Sequence, residues 1–180
     1  MTQQGTRSRT LLITGIALAL AAAAIIVTYV SSTEKNAQAE QATLLLDKGI
    51  AQFQQKQYRQ SLDTLGEISE DEFQNWRVNY YMGSSLVMLR DYEPAVVHLE
   101  KALALKGEEA KVFYALGVVY YKLGNLSLSK AYFGKVLEVD PDHDDARGLM
   151  DIVANLERQQ LEGPTPESET ESEDEAGSVH

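Results

Sequence analysis

Cysteine is absent from this chain of 180 residues, and histidine occurs only three times, at His98, His143 and His180. Without cysteine the chain can form no disulfide, no thiolate metal site and no cysteine nucleophile. The histidines lie far apart in the sequence, and no phosphate-binding loop, paired zinc ligands or serine–histidine–acid signature accompanies them. We therefore expect no catalytic residues, no cofactor and no metal, and we predict that the protein is not an enzyme.

Positive charge is also scarce, because 16 Lys and Arg residues stand against 27 Asp and Glu residues. The formal net charge is −11, and the sequence pI is near 4.7. Phosphate contacts require clustered Lys and Arg side chains, so we expect no nucleic acid among the partners. The acidic run at residues 140–145 lacks the glycine and the final glutamate of a calcium-binding EF-hand loop, so we interpret it as a turn that begins a helix.

Charge is missing altogether from residues 11–30, which read LLITGIALALAAAAIIVTYV. As a helix this segment is about 30 Å long, the thickness of the hydrocarbon core of a bilayer, and it predicts a transmembrane helix. Arg7 and Arg9 precede it, so the positive-inside rule predicts a cytoplasmic N-terminus at residues 1–10 and a translocated body. We therefore predict a single-pass protein of the inner (cytoplasmic) membrane whose body is periplasmic or otherwise extracytoplasmic.

Two alternatives to this membrane topology remain. Ala37-Gln38-Ala39 has the small-x-small form of a signal-peptidase site, so residues 11–30 could belong to a signal peptide cleaved after Ala39. The apolar run is longer than a typical signal sequence, which favours a retained anchor followed by a polar spacer at residues 31–41. The small charge difference between the two flanks also leaves a cytosol-facing body open.

The far end of the chain, residues 161–180, contains seven acidic residues and no Lys or Arg. Such a segment buries too little apolar surface to offset the entropy lost on ordering, so we predict a disordered acidic tail. We interpret it as a solvating segment, with an acidic docking arm as the alternative.

A period of 34 residues organises the middle of the chain. Gly49, Gly83 and Gly117 are separated by this step. Four further columns repeat with it: Tyr58/Tyr92/Leu126, Ser61/Ala95/Ser129, Leu65/Leu99/Phe133 and Ile68/Ala102/Val136. The period predicts three units at residues 42–75, 76–109 and 110–143, followed by an amphipathic stretch at 144–160 that we expect to cap the array.

The repeated unit resembles the tetratricopeptide repeat (TPR) family. The third unit carries the resemblance best, with Leu116-Gly117, Tyr120, Gly124 and Phe133 at the positions of the family pattern. The first unit departs from it most, with Lys48 at the family's leucine position. The resemblance implies an all-α solenoid of helix–turn–helix units with a capping helix. In this chain the solenoid would follow one transmembrane helix and precede the disordered tail.

The resemblance also implies a concave groove, lined by the first helix of each unit, that takes a client peptide. The residues that we predict for this partner-binding groove are Leu46, Ile50, Phe53, Arg77, Tyr80, Tyr81, Lys111, Tyr114, Val118, Tyr121 and Lys122. Chaperone-binding members of the family grip a terminal carboxylate with Lys, Asn, Asn, Lys and Arg. Here those positions hold Leu46, Ile50, Tyr81, Lys111 and Ala115, so we do not carry that activity over.

The leading functional hypothesis is a membrane-anchored interaction module or scaffold. It would assist assembly or biogenesis of an envelope or membrane complex by binding a client segment in the groove, and its partners would be proteins and the membrane. The alternatives are a self-associating structural scaffold, which would be a homo-oligomer, and a cytosol-facing TPR receptor.

Overall fold

The computed structural model describes residues 3–69, 74–106 and 109–162, with the side chains of residues 3–17, 19 and 106 excepted. Within these ranges every regular element is a helix. The seven helices are α1 (Gln3–Gln54), α2 (Tyr58–Gly66), α3 (Trp76–Leu89), α4 (Tyr92–Lys106), α5 (Ala110–Lys122), α6 (Leu126–Val139) and α7 (Asp144–Glu162). The predicted all-α architecture is confirmed for this part of the chain.

Helix α1 runs without a break from the predicted membrane segment into the first repeat. It contains 52 residues, and its length is about 78 Å at the usual rise per residue. The spacer at residues 31–41 is part of this helix. It contains neither Gly nor Pro and is rich in Ala, Gln, Glu and Lys, which favour helix.

Among the residues that the structure describes, no helix combines the length and the apolar character needed to cross a membrane. Part of the predicted span lies outside that description, since the side chains of residues 11–17 and 19 are not included. The predicted disordered tail lies outside it from residue 163 onward. Its first two residues, Leu161 and Glu162, belong to α7, which therefore ends two residues later than predicted.

The helices form two layers of a solenoid. Each helix packs against the next one in the chain, and α3 also contacts both α1 and α5. Helices α1, α3 and α5 are thus close together on one side, which we call the inner face. The even-numbered helices α2, α4 and α6 lie on the other side, the outer face. The repeat period determines this alternation, because each unit contributes one inner and one outer helix.

The glycine column marks where the two layers touch. A Cβ atom on Gly83 would lie 2.7 Å from Leu99 Cγ, and one on Gly117 would lie 2.6 Å from Phe133 Cε1. Gly49 is in the same relation to Leu65, at 2.6 Å. Larger residues at these positions would push the inner helix away from its outer partner, so the sequence column reflects a packing requirement.

The serine column adds a hydrogen bond to the same crossing. Ser61 Oγ donates to the Gly49 carbonyl at 2.8 Å, and Ser129 Oγ donates to the Gly117 carbonyl at 2.8 Å. Both serines are fully buried, so these bonds satisfy polar groups that water cannot reach. In the middle unit Ala95 occupies this column, so the corresponding hydroxyl and its hydrogen bond are absent there.

Helix α7 covers the open end of the array. Its Ala146 and Val153 are fully buried against Phe133 and Val136 of the third unit. Buried apolar residues on one stripe of an otherwise exposed helix are typical of a capping helix.

Candidate binding site on the inner face

The inner face contains a cavity of about 190 Å³ between α1, α3 and α5, which we call the inner pocket. The residues that line it are Phe53, Tyr80, Ser84, Val87, Met88, Lys111, Tyr114, Ala115 and Val118. Most of these side chains are aromatic or aliphatic, and Lys111 carries the only formal charge among them. The inner pocket is therefore apolar with one cation in its wall.

Helical spacing produces this lining. On α3 the residues follow at 80, 84, 87 and 88, and on α5 at 111, 114, 115 and 118. Steps of three and four residues place side chains on one face of a helix, so each helix presents a single stripe to the cavity. Because α3 and α5 pack side by side, their two stripes meet.

Five of the eleven predicted groove residues line the inner pocket. They are Phe53, Tyr80, Lys111, Tyr114 and Val118. Ser84, Val87, Met88 and Ala115 also line it. The repeat register assigns all four to inward-facing positions of the second and third units, although they were not among the eleven predicted groove residues.

Leu46 and Ile50 do not belong to the groove surface, which corrects the prediction. Leu46 is 2% exposed and Ile50 is 8% exposed. Both pack in a core cluster with Leu65 and Val78. The reason is that these α1 positions face the seam with α2 and α3, where the neighbouring helices cover them.

The other predicted groove residues lie outside the pocket wall. Tyr81 packs back on the first unit, with its ring centroid 5.4 Å from that of Phe53. Tyr121 is half-buried against the core cluster of the third unit. Lys122 is exposed with Nζ 5.4 Å from the Tyr121 ring centroid, and Arg77 is half-buried in the first turn of α3.

Lys111 is held at the pocket by two aromatic rings. Its Nζ lies 4.7 Å from the centroid of the Trp76 ring and 5.7 Å from that of Tyr80. A cation in this position is attracted by the negative face of the ring. The Lys111 ammonium therefore has a defined place at the edge of the pocket.

The two tyrosines of the pocket keep their hydroxyl protons at neutral pH. Burial raises the pKa of Tyr80, against a smaller lowering by its hydrogen bond with Ser84. Burial also raises the pKa of Tyr114, and the nearby Asp145 carboxylate raises it further. Neutral hydroxyls in an apolar wall can donate a hydrogen bond to a bound segment.

The pocket wall is connected to the capping helix through His143. The His143 ring stacks on Tyr114 with centroids 5.0 Å apart. Its Nδ1 accepts a hydrogen bond from the Ala146 amide at 3.3 Å, so His143 caps the start of α7. The predicted turn at residues 140–145 thus begins α7, and no described group of three His, Asp or Glu side chains is placed to hold a metal ion.

A solenoid of helical pairs with an apolar pocket on its inner face is typical of protein-binding repeat modules. Family models for the tetratricopeptide repeat match this chain at residues 110–143 and, described as TPR repeat, at residues 83–124. The chain therefore contains tetratricopeptide repeats, as the resemblance implied.

One curated protein and several solved structures are similar to the chain. The chicken (Gallus gallus) DnaJ homolog subfamily C member 3 is 26% identical over 141 residues, which are 72% of this chain and 27% of that protein. The first TPR of Spaghetti (RPAP3), bound to the HSP90 peptide SRMEEVD, superimposes with a TM-score of 0.63 at 21% identity and covers 67% of this chain and 95% of its own.

The second TPR domain of human RPAP3, in complex with the HSP70 peptide SGPTIEEVD, gives a TM-score of 0.59 at 21% identity. That comparison covers 67% of this chain and 98% of the other. At these identities the two structures establish the fold. The chain spans about a quarter of the length of the chicken relative.

Proposed function

We propose that this chain is a TPR interaction module that captures a segment of a client protein in the inner pocket by binding alone, with no chemical step. The observation that carries the proposal is the pocket itself, an apolar cavity of about 190 Å³ with one cation at its edge. An apolar cavity of about 150 Å³ accommodates benzene, so the inner pocket has room for one aromatic or large aliphatic side chain. Burying such a side chain contributes roughly 1.5–3 kcal/mol.

The proposed mode of capture differs from recognition of a terminal carboxylate. The similar RPAP3 domains are bound to peptides that end in EEVD. Of the family positions that hold a carboxylate, only Lys111 is matched in this chain, and Leu46 and Ile50 are buried in the core. We therefore propose that an apolar side chain of the client is the main anchor, with Lys111 favouring an acidic neighbour.

The N-terminal part of α1 supports a second element of the proposal, a membrane anchor at residues 11–30. The segment has no charged residue, and the large side chains described along it are open to solvent. Leu18, Leu20, Ile25, Ile26 and Val27 are between 62% and 72% exposed. We propose a single span in the inner membrane, with the solenoid on the extracytoplasmic side, where it would assist assembly of an envelope complex.

Client capture from membranes tests the first element. The Tyr80→Ala/Tyr114→Ala double variant is expected to lose most of the proteins that co-purify with the wild-type chain, because it removes two walls of the pocket. The matched control is Val97→Ala/Leu128→Ala, which shortens two exposed apolar side chains of α4 and α6 outside the pocket lining. Equal capture by the pocket variant, with helicity preserved in circular dichroism, would contradict the proposal.

Carbonate extraction and protease accessibility on sealed membranes test the second element. A retained anchor is expected to stay in the carbonate pellet, and in inside-out vesicles an extracytoplasmic solenoid is expected to resist protease until the vesicles are opened. Release of the chain by carbonate would remove the anchor from the proposal, and digestion of the solenoid in intact inside-out vesicles would contradict the proposed orientation. Neither result bears on the pocket.

A further inference from the structure

Helices α3 and α5, which line most of the inner pocket, contain three cations and no Asp or Glu, although the chain is acidic. These cations, Arg77, Lys111 and Lys122, form what we call the cationic strip. On the neighbouring α7, Asp145 is close enough to Tyr114 to raise the pKa of that tyrosine. In a chain with a net charge of −11, an excess of cations on one face is a local departure that attracts an anionic segment.

The cations of the strip take part in no ion pair among the described residues. Within residues 3–69, 74–106 and 109–162, ion pairs join Lys130 to Glu157 and Arg147 to Asp144, and none involves the strip. Lys111 and Lys122 contact aromatic rings instead, which leaves their N–H groups able to donate to a carboxylate.

We propose that the acidic segment at residues 167–175 of this same chain binds along the cationic strip and covers the inner pocket. This segment reads ESETESEDE and contains six carboxylates and no cation. Charge complementarity selects it, because no other stretch of the chain carries six acids in nine residues. The proposal rests on the proposed function, since it assigns a regulator to the same inner face.

Helix α7 delivers the segment to the correct end of the inner face. Glu157 accepts hydrogen bonds from Ser127 Oγ at 2.9 Å and from Lys130 Nζ at 3.0 Å, which places it beside the start of α6. Lys122 ends α5 at the same place, just before the turn into α6. Helix α7 ends at Glu162, about 8 Å further along its axis.

The remaining distance is short compared with the length of the segment. Lys122 and Lys111 are separated by about 16 Å along α5, and Arg77 belongs to the neighbouring inner helix α3; the axes of packed helices are roughly 8–10 Å apart. Nine extended residues span about 30 Å. The four residues 163–166 bridge up to about 14 Å between Glu162 and the acidic run. The run can therefore contact all three cations at once.

The contact is expected to be weak and adjustable. Exposed ion pairs contribute little individually and are screened by salt. A tethered segment, however, acts at an effective concentration in the millimolar range. A client with a well-fitting apolar side chain can displace such a segment, whereas a poorly fitting one cannot. The acidic segment would thus raise the selectivity of the inner pocket.

Carbodiimide cross-linking of the full chain, solubilised in detergent, tests the contact. This reagent joins a carboxylate to an amine that it touches, and mass spectrometry identifies the pair. We expect cross-links from residues 167–175 to Lys111 and Lys122. Lys135 is the matched control, since its Nζ also lies over two rings, at 5.5 Å from Phe113 and 5.3 Å from Tyr132, but on the outer helix α6.

Salt and isotope mixing sharpen this result. The yield at Lys111 is expected to fall about fivefold between low salt and 0.5 M salt, because the Debye length shrinks well below 10 Å. In a mixture of isotope-labelled and unlabelled chains, the cross-links are expected within one chain. Equal yields at Lys135 and Lys111, or cross-links chiefly between two chains, would overturn the proposal.

A second measurement uses Trp76, the single tryptophan of the chain, which lies under Lys111. In the wild type, high salt is expected to release the segment from the strip and so to shift the fluorescence emission of Trp76. Replacing all six acids of the segment by Gln or Asn is expected to produce the same shift at low salt. The same variant is expected to bind co-purifying clients about fivefold more tightly, the order that a few exposed ion pairs supply. An unchanged spectrum and unchanged capture would contradict the proposal.

The two proposals fail separately. If neutralising the segment changes nothing while Tyr80→Ala/Tyr114→Ala still abolishes capture, the pocket remains the client site and only the regulator is lost. If the cross-links form but the tyrosine variant captures clients normally, the segment contact stands and the proposed function falls.

Discussion

Tyr80 and Tyr114 on the inner face differ from Tyr120 and Tyr132, which lie towards the outer helices, in what their rings contact. The inner pair lines an open cavity. The outer pair stacks on itself, with centroids 5.6 Å apart and planes 2° from parallel, and the Tyr120 hydroxyl donates to Glu100 Oε1 at 2.8 Å. One repeat fold thus uses the same residue type in two ways, as wall of a site and as internal packing.

Leu46 and Met88 give the strongest test of the difference between core residues and residues that line the pocket. Leu46→Ala is expected to reduce the free energy of unfolding by about 2–5 kcal/mol, since it leaves a hole in a closed core. Met88→Ala, at a pocket residue that is 52% exposed, is expected to change it by about 0.5 kcal/mol or less. Urea denaturation followed by circular dichroism measures both. Similar losses would mean that Leu46 is a surface residue after all.

Two helical glycines, Gly117 and Gly134, distinguish a position in close contact between the two layers from a position with open space. Gly117→Ala is expected to destabilise the fold by about 1–3 kcal/mol, because the new methyl group overlaps the Phe133 ring. Gly134→Ala meets no atom within 4 Å and is expected to stabilise α6 by roughly 0.5–1 kcal/mol. Thermal melts of the two variants are expected to move in opposite directions. A shift of both in the same direction would contradict the close contact between α5 and α6.

The outer tyrosine pair predicts a loss of stability in alkali. Burial and the hydrogen bond to Glu100 raise the pKa of Tyr120 to about 12 from its ordinary value of 10.0. Because the folded chain holds this proton more tightly than the unfolded chain, the associated stability is complete below pH 10 and is lost as the pH rises towards 12. Denaturation at several pH values measures the slope, which is expected to be smaller for Tyr120→Phe. At neutral pH that variant is expected to lose about 0.5 kcal/mol.

The smallest expected effect concerns the end of α7. Hydrogen bonds from Lys130 and Ser127 lower the pKa of Glu157, so its contribution is present above the ordinary pKa of a glutamate and is lost as the pH falls through the lowered value. Glu157→Gln is expected to change global stability less than any variant above, and to increase amide exchange only in α7. Broad loss of protection in α5 and α6 would show that the Lys130–Glu157 ion pair stabilises the third repeat as well as the capping helix α7.

The repeat period predicted most of the fold because it reports packing directly. The column of Gly49, Gly83 and Gly117 locates the three crossings between layers, and the structure has outer side chains pressed against each one. Helix boundaries in the second and third units follow from the same register. The end of α7 was missed by two residues, since Leu161 and Glu162 suit a helix as well as a tail.

The site was predicted less completely, because a repeat register tells which positions face inward but not which of them a neighbour covers. Leu46 and Ile50 occupy inward positions of the first unit, yet α2 and α3 close over them. Tyr80 and Tyr81 are adjacent in the sequence, and only the packing of Tyr81 on Phe53 decides that Tyr80 alone reaches the pocket. Such choices depend on tertiary contacts that no local pattern records.

The unbroken course of α1 has a mechanical consequence. Because a single helix runs from Gln3 to Gln54, it fixes both the distance and the rotational angle between the N-terminal segment and the solenoid. The direction in which the inner pocket opens is therefore fixed relative to the N-terminal segment. Adding one residue within 31–41 turns the pocket by about 100° about the helix axis, whereas adding seven returns it to within about 20° of its starting direction. The number of residues in 31–41 therefore sets the direction in which the inner pocket faces relative to the N-terminal segment.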